Sequence, residues 1–157
     1  MADINRDADT ALAKLYSTTP LAKMLSERAV AVLVFPDIIK GGFVIGGQYG
    51  DGALRKGATT VGYYRSVSAS FGLQAGVQKF GYVLFFMNQK ALDYLKKSKG
   101  WEIGVGPSVV IVDKGKAKNI TTTTAKDDVY AFIFDQKGLM AGLGLQGTKV
   151  TKIHPKK

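Results

Sequence analysis

Three groups of residues have types and spacing from which catalysis or cofactor binding is commonly built, and each falls short of it. Gly142-Leu143-Gly144-Leu145-Gln146-Gly147 spells the G-x-G-x-x-G of a dinucleotide-binding turn, whose glycines let a pyrophosphate reach the start of a helix. The following Thr148-Lys149-Val150-Thr151-Lys152-Ile153 alternates as a strand does, so no helix opens there and the glycines read as architectural. His154 is the only histidine and the chain has no cysteine, which leaves no second imidazole or thiolate for a metal cluster and argues against a Ser-His-Asp triad. Asp127-Asp128, beside Lys126 at a strand entrance, suits a turn or an ion pair better than paired acid–base work. No catalytic residue, metal site or cofactor is expected, and the chain reads as a non-enzyme.

Phosphate chemistry is better supplied. Lys40, Arg55, Lys56, Arg65, Lys79 and Lys137 stand next to glycine-rich turns, where backbone N–H groups can join a side-chain cation in cradling a phosphate. They are the expected binding residues. Twenty-two lysines and arginines against twelve acidic residues give a formal charge of +10, a bias toward anionic partners that names a sign and no more. Lys149, Lys152, Lys156 and Lys157 form a second basic strip toward the C-terminus. Tyr63, Tyr64, Phe80, Tyr82, Phe85 and Phe86 interleave with Arg65 and Lys79 as a platform for single-stranded nucleic acid would, but aromatics at strand spacing usually face a core, and nucleic acid is set aside.

The elements that must position these residues begin with helices. Ile4, Ala8, Ala11, Leu12 and Leu15 recur at helical spacing behind Asp3, and Thr19 followed by Pro20 predicts the start of a second, short helix. From Ala29 onward the pattern is β: Ala29–Phe35, Thr60–Arg65, Ser70–Gln78, Gly81–Met87, Trp101–Val112, Val129–Phe134, Met140–Leu145 and Lys149–Ile153, with turns expected at Pro36-Asp37 and Gly50-Asp51-Gly52. One helix near 88–98 interrupts them, capped by Asn88 and stopped by Gly100. The polar stretch Asp113–Lys126 reads as a loop.

Glycine inside strand-like sequence is the strongest fold signal, at Lys40–Gly47, Ser70–Val77 and Gly138–Leu145. Glycine weakens a strand unless the sheet bends or another backbone comes close, so these segments predict a curved sheet. With 157 residues and 46% hydrophobic content, the expectation is one α+β domain with a predominantly antiparallel, curved, barrel-like or sandwich sheet: helices over 1–28, a β-rich body over 29–153 and a basic tail over 154–157. No apolar run approaches the roughly 20 residues of a membrane-spanning helix, and Met1-Ala2-Asp3 opens no signal peptide in this form.

Several ordered motifs together resemble the SYLF domain family. They are Lys40-Gly41-Gly42-Phe43 after an apolar strand, Gly62-Tyr63-Tyr64 running into Ser68–Gly76, Gly104-Val105-Gly106-Pro107, and Gln136–Gly147. The resemblance implies binding of anionic phospholipid, phosphoinositides in eukaryotic members, with an N-terminal amphipathic helix taking part, and actin binding in some fungal members. Ile4, Leu12 and Leu15 would be the membrane-inserting residues if the first helix left the body; apolar stripes at that spacing more often face a core. A stand-alone domain is similar to bacterial members, commonly exported lipoproteins, so a cell-envelope or periplasmic place is expected, with the leader and lipidated cysteine outside this chain. The function expected is non-enzymatic, peripheral binding of anionic phospholipid. The alternative is a structural protein of the envelope whose positive surface holds an acidic protein partner or polymer.

Overall fold

The computed structural model describes residues 2–40, 47–69, 79–113, 120, 126–135, 138–139 and 144–154. The expected strand at Ser70–Gln78, residues 140–143 of the one expected at Met140–Leu145, most of the Asp113–Lys126 loop, Lys137, and the side chains of Lys40 and Lys79 lie outside the described residues, and Gly144 and Leu145 are not in a strand. Among the described residues three helices, α1 (Ala2–Thr18), α2 (Pro20–Arg28) and α3 (Gln89–Lys97), accompany nine strands: β1 (Ala31–Lys40), β2 (Gly47–Lys56), β3 (Thr59–Ala69), β4 (Lys79–Phe86), β5 (Trp101–Glu102), β6 (Val109–Ile111), β7 (Val129–Asp135), β8 (Gly138–Leu139) and β9 (Lys149–Ile153). They form one sheet in the order β5-β9-β3-β2-β1-β4-β7-β6, with β8 paired to β7. Every pairing is antiparallel except β6 with β7.

The sheet is curled, as the glycines predicted. β5 and β4 stand five places apart in that order, about 24 Å in a flat sheet, yet Trp101 of β5 and Phe86 of β4 have ring centroids 5.8 Å apart. The curl leaves a concave face packed by Leu33, Phe35, Tyr82, Leu84 and Ile133 with Leu92 and Leu95 of α3. On the convex face, Ala8, Leu12, Leu15, Ala22 and Leu25 of α1 and α2 cover Val34, Val83, Phe85 and Phe132. Both faces are therefore buried at the centre of the sheet, which is why β1, β4 and β7 read as nearly continuous apolar runs.

Two expected turns are strand interior instead. Pro36-Asp37 is a bulge within β1, between the registers Phe35↔Tyr82 and Ile38↔Phe80, and it returns Ile38 to the concave face beside Phe35. Gly50-Asp51-Gly52 lies in the middle of β2. A Cβ on Gly50 would stand 2.3 Å from the Asp37 carbonyl oxygen, and one on Gly52 would stand 2.2 Å from that of Val34. These glycines mark close backbone approach, the other reason for glycine in a strand.

The expected strand Trp101–Val112 is likewise divided. β5 ends at Glu102, and Gly104 (φ 110°) and Gly106 (φ 80°) adopt the left-handed conformation that turns the chain before β6. Helix α3 starts as expected, with Asn88 Oδ1 accepting the Ala91 N–H at 2.8 Å. Thr19 precedes α2 in extended conformation, but its side chain makes no capping hydrogen bond.

Candidate functional site

Of the cations singled out from sequence, Lys40, Arg55, Lys56, Arg65 and Lys79 lie on described backbone, which places them at different parts of the sheet. Lys40 lies at the end of β1 where Ile39 pairs with Lys79, so these two backbones are neighbours. Arg55 and Lys56 belong to the opposite end of β2, since Lys40 pairs with Gln48 and Val32 with Arg55. Seven residues of strand separate the two ends, roughly 23 Å. Arg65 sits on β3, opposite Asp51, and its guanidinium holds that carboxylate by two bonds of 2.7 and 3.1 Å. The carboxylate raises the already high pKa of Arg65 further, so its charge is permanent but locally neutralised.

Arg55 has a structural task. It is buried, pairs with Asp9 of α1, and donates to the Asn5 carbonyl oxygen (2.9 Å) and the Thr60 hydroxyl (3.1 Å). Thr60 in turn donates to Asn5 Oδ1, and Asn5 Nδ2 to the Tyr63 hydroxyl, both at 2.8 Å. This network fixes the N-terminal half of α1 on the β2–β3 hairpin. Lys56, one residue on, is exposed beside Gly57 in that hairpin. Of the candidates for membrane insertion, Leu12 and Leu15 are buried on the convex face, and Ile4 is half-buried against it.

A groove of about 470 Å³ runs between α1 and the β1 bulge, with Phe80 and Phe134 among its walls. Asp7, Asp37 and Asp135 stand around it with Lys14. Three carboxylates to one ammonium among its described lining residues is the wrong sign for a phosphate, so this groove does not suit a headgroup.

The concave face carries a small polar cluster. The Tyr82 and Ser66 hydroxyls are 2.5 Å apart, and burial raises the Tyr82 pKa strongly, keeping the phenol protonated. Asp128 is also structural. It accepts from the Ser108 N–H (2.9 Å), Asn88 Nδ2 (2.8 Å) and the Ser108 hydroxyl (3.3 Å), joining the α3 cap to the start of β7. The Ser108 backbone bond, then the Asn88 side chain, hold its carboxyl below the ordinary range. A lowered folded pKa stabilises the protein above the unfolded value near ~3.9 and is lost as pH falls through the folded value. Asp128→Asn is therefore expected to flatten the pH dependence of stability below about pH 4, read by urea unfolding at successive pH values. An unchanged acid limb would contradict this account.

Sequence reasoning passed over the surface where cation and exposed apolar groups do meet. Lys90, Lys96, Lys97 and Lys99 are exposed in and just after α3, Tyr94 is 41% exposed on the same helix, and Val105 is 52% exposed in the turn that follows β5. Nothing local in the sequence shows that the chain returns under the helix and brings these groups together. Among the described residues no three acidic or histidine side chains gather as metal ligands, and no helix is long and apolar enough to cross a membrane.

Residues 67–154, more than half of the chain, match a protein-family model described as Ysc84, a Las17-binding protein actin regulator. No curated protein matches the chain. The matched span holds β4 to β9 and α3, and thus the α3 surface, whereas α1, α2 and the Arg55 lock precede it.

Proposed function

The chain belongs to the Ysc84 (SYLF) family, and on that premise we propose that it is a non-enzymatic module that binds anionic phospholipid surfaces peripherally. The family is associated with lipid and with actin regulation; the anionic-headgroup preference is the step added here. One observation carries it. Arg6, Arg55 and Arg65 are ion-paired with Asp3, Asp9 and Asp51, while Lys56, Lys90, Lys96, Lys97, Lys99, Lys149 and Lys152 are exposed on a chain of charge +10. The excess positive charge is thus held by lysines at the surface. Each lysine near an anionic bilayer contributes about 1 kcal/mol, so five give about 5 kcal/mol, a sub-millimolar affinity that needs apolar contact to become useful.

Cosedimentation with vesicles of phosphatidylglycerol, cardiolipin or phosphatidylcholine is the test. Binding is expected to require the anionic lipids and to weaken as salt rises. Equal binding to phosphatidylcholine, or none to any vesicle, would defeat the reading. The family description favours a second reading, a protein partner of the actin-regulating kind, which binding to no vesicle would bring forward.

A further inference from the structure

We infer that the membrane-contacting surface is the tip formed by α3 and the Gly104-Val105-Gly106-Pro107 turn, with Val105 and Tyr94 entering the interface and Lys90 and Lys97 on the headgroups. The inference rests on the lipid reading above and adds the surface that performs it. Its first support is that Val105 is presented by construction. Left-handed glycines stand on either side of it, the Val105 carbonyl oxygen accepts from Trp101 Nε1 at 3.0 Å, and its N–H donates to the Glu102 carbonyl oxygen at 3.1 Å. Ile103 at the base of the turn is buried and exchanges backbone bonds of 2.9 Å with Thr148 and Gly147. A turn held at this many points keeps an apolar side chain half in water, and rigid presentation lowers the ordering cost of inserting it.

Continuity with the helix is the second support. A Cβ on Gly106 would fall 2.6–2.9 Å from the Tyr94 ring, so the ring lies directly over the turn that carries Val105. Tyrosine, an apolar ring with a polar end, suits the headgroup boundary. The third support is charge placement. Lys90 and Lys97, at i−4 and i+3 from Tyr94, flank it on the same side of α3. The opposite side of the helix is committed to the core through Ala91, Leu92 and Leu95. An interfacial helix has this division, basic residues flanking an aromatic at the water boundary. Two carboxylates lie nearby, Asp93, which accepts from Gln89 within the helix, and Glu102, the register partner of Lys149; the four exposed lysines of α3 and its C-terminal end outnumber them.

The chain has no cysteine, so Val105→Cys gives a unique position for an environment-sensitive fluorophore, and Val61→Cys, on exposed β3, gives a control. Phosphatidylglycerol vesicles are expected to shift the emission of the label at 105 to the blue and leave that at 61 unchanged. Val105→Asp is expected to keep the wild-type melting curve, the residue being exposed, and to lower vesicle binding at least about tenfold. Lys90→Gln with Lys97→Gln is expected to lower it roughly 30-fold at low salt. If the wild-type chain sediments with these vesicles while the label at 105 stays silent and Val105→Asp binds as well, the tip is the wrong surface and the lipid reading survives without it. If the wild-type chain binds no vesicle, the lipid reading fails and the tip falls with it.

Discussion

Gly52→Ala is expected to destabilise the protein by about 3–5 kcal/mol, or to prevent folding altogether. The added methyl group would sit 2.2 Å from the Val34 carbonyl oxygen and 2.7 Å from the Phe35 ring, at the centre of the sheet. Neither neighbour has room to yield. Val34 and Phe35 are fully buried, Phe35 stacks on Tyr82 with centroids 4.9 Å apart, and the β1 backbone is paired on both sides, with β2 and with β4. Gly62→Ala is the matched control. Its Cβ would meet only the Tyr64 ring, at an ordinary 3.6 Å, and in a strand the change is expected to be neutral or slightly stabilising. For a chain of this length, 3–5 kcal/mol lowers the melting temperature by on the order of 10 °C. A Gly52→Ala protein that melts with the wild type would show that the sheet is not held as tightly here as the close approach requires.

That pair of glycines also shows what the sequence could and could not disclose. Glycine inside apolar alternation announced a bent sheet, and the sheet is curled. Which glycines turn the chain and which receive a neighbouring backbone was hidden, because the difference lies in the partner strand. Gly50 and Gly52 looked like a turn beside Asp51 and prove to be paired with Ser66 and Tyr64. Gly104 and Gly106 were placed inside a strand and prove to be the turn. The helices were legible because their signals are local: Asn88 caps α3 and Pro20 opens α2. Charged residues were the least legible. Arg55 and Lys56 are adjacent and similar in type, yet alternation sends one to a buried pair with Asp9 and the other to solvent. Nothing in the sequence around them indicates which α1 carboxylate waits on which face.

Arg55→Ala is expected to destabilise the protein by about 2–3 kcal/mol, through loss of its bonds to Asn5, Asp9 and Thr60 and of the packing of its buried stem. Asp9→Ala leaves the guanidinium buried without its counter-charge. Asp9 is 66% exposed, so water reaches the vacated place and about 2 kcal/mol is the expected loss, below the 3–5 of a fully buried pair. The double variant should lose less than the sum, because both changes remove the same bond. Urea unfolding of the three variants measures all of this, and additive losses would show that the pair is not coupled. The larger consequence concerns α1 as a membrane helix. Leu12 and Leu15 already reside in an apolar medium, so moving them into a bilayer returns about what leaving the core removes, while Val34, Phe85 and Phe132 are uncovered and the Arg55 network is broken. Insertion of α1 is therefore uphill on balance. Arg55→Ala, which loosens α1 without deleting it, separates the two roles proposed for this arginine when held below its melting temperature. Vesicle binding that persists while stability falls assigns Arg55 to the α1 lock; vesicle binding that falls while stability holds would make it a headgroup ligand. Deleting residues 1–16 cannot make this distinction, because it strips the cover from the convex face and any lost binding would follow from unfolding.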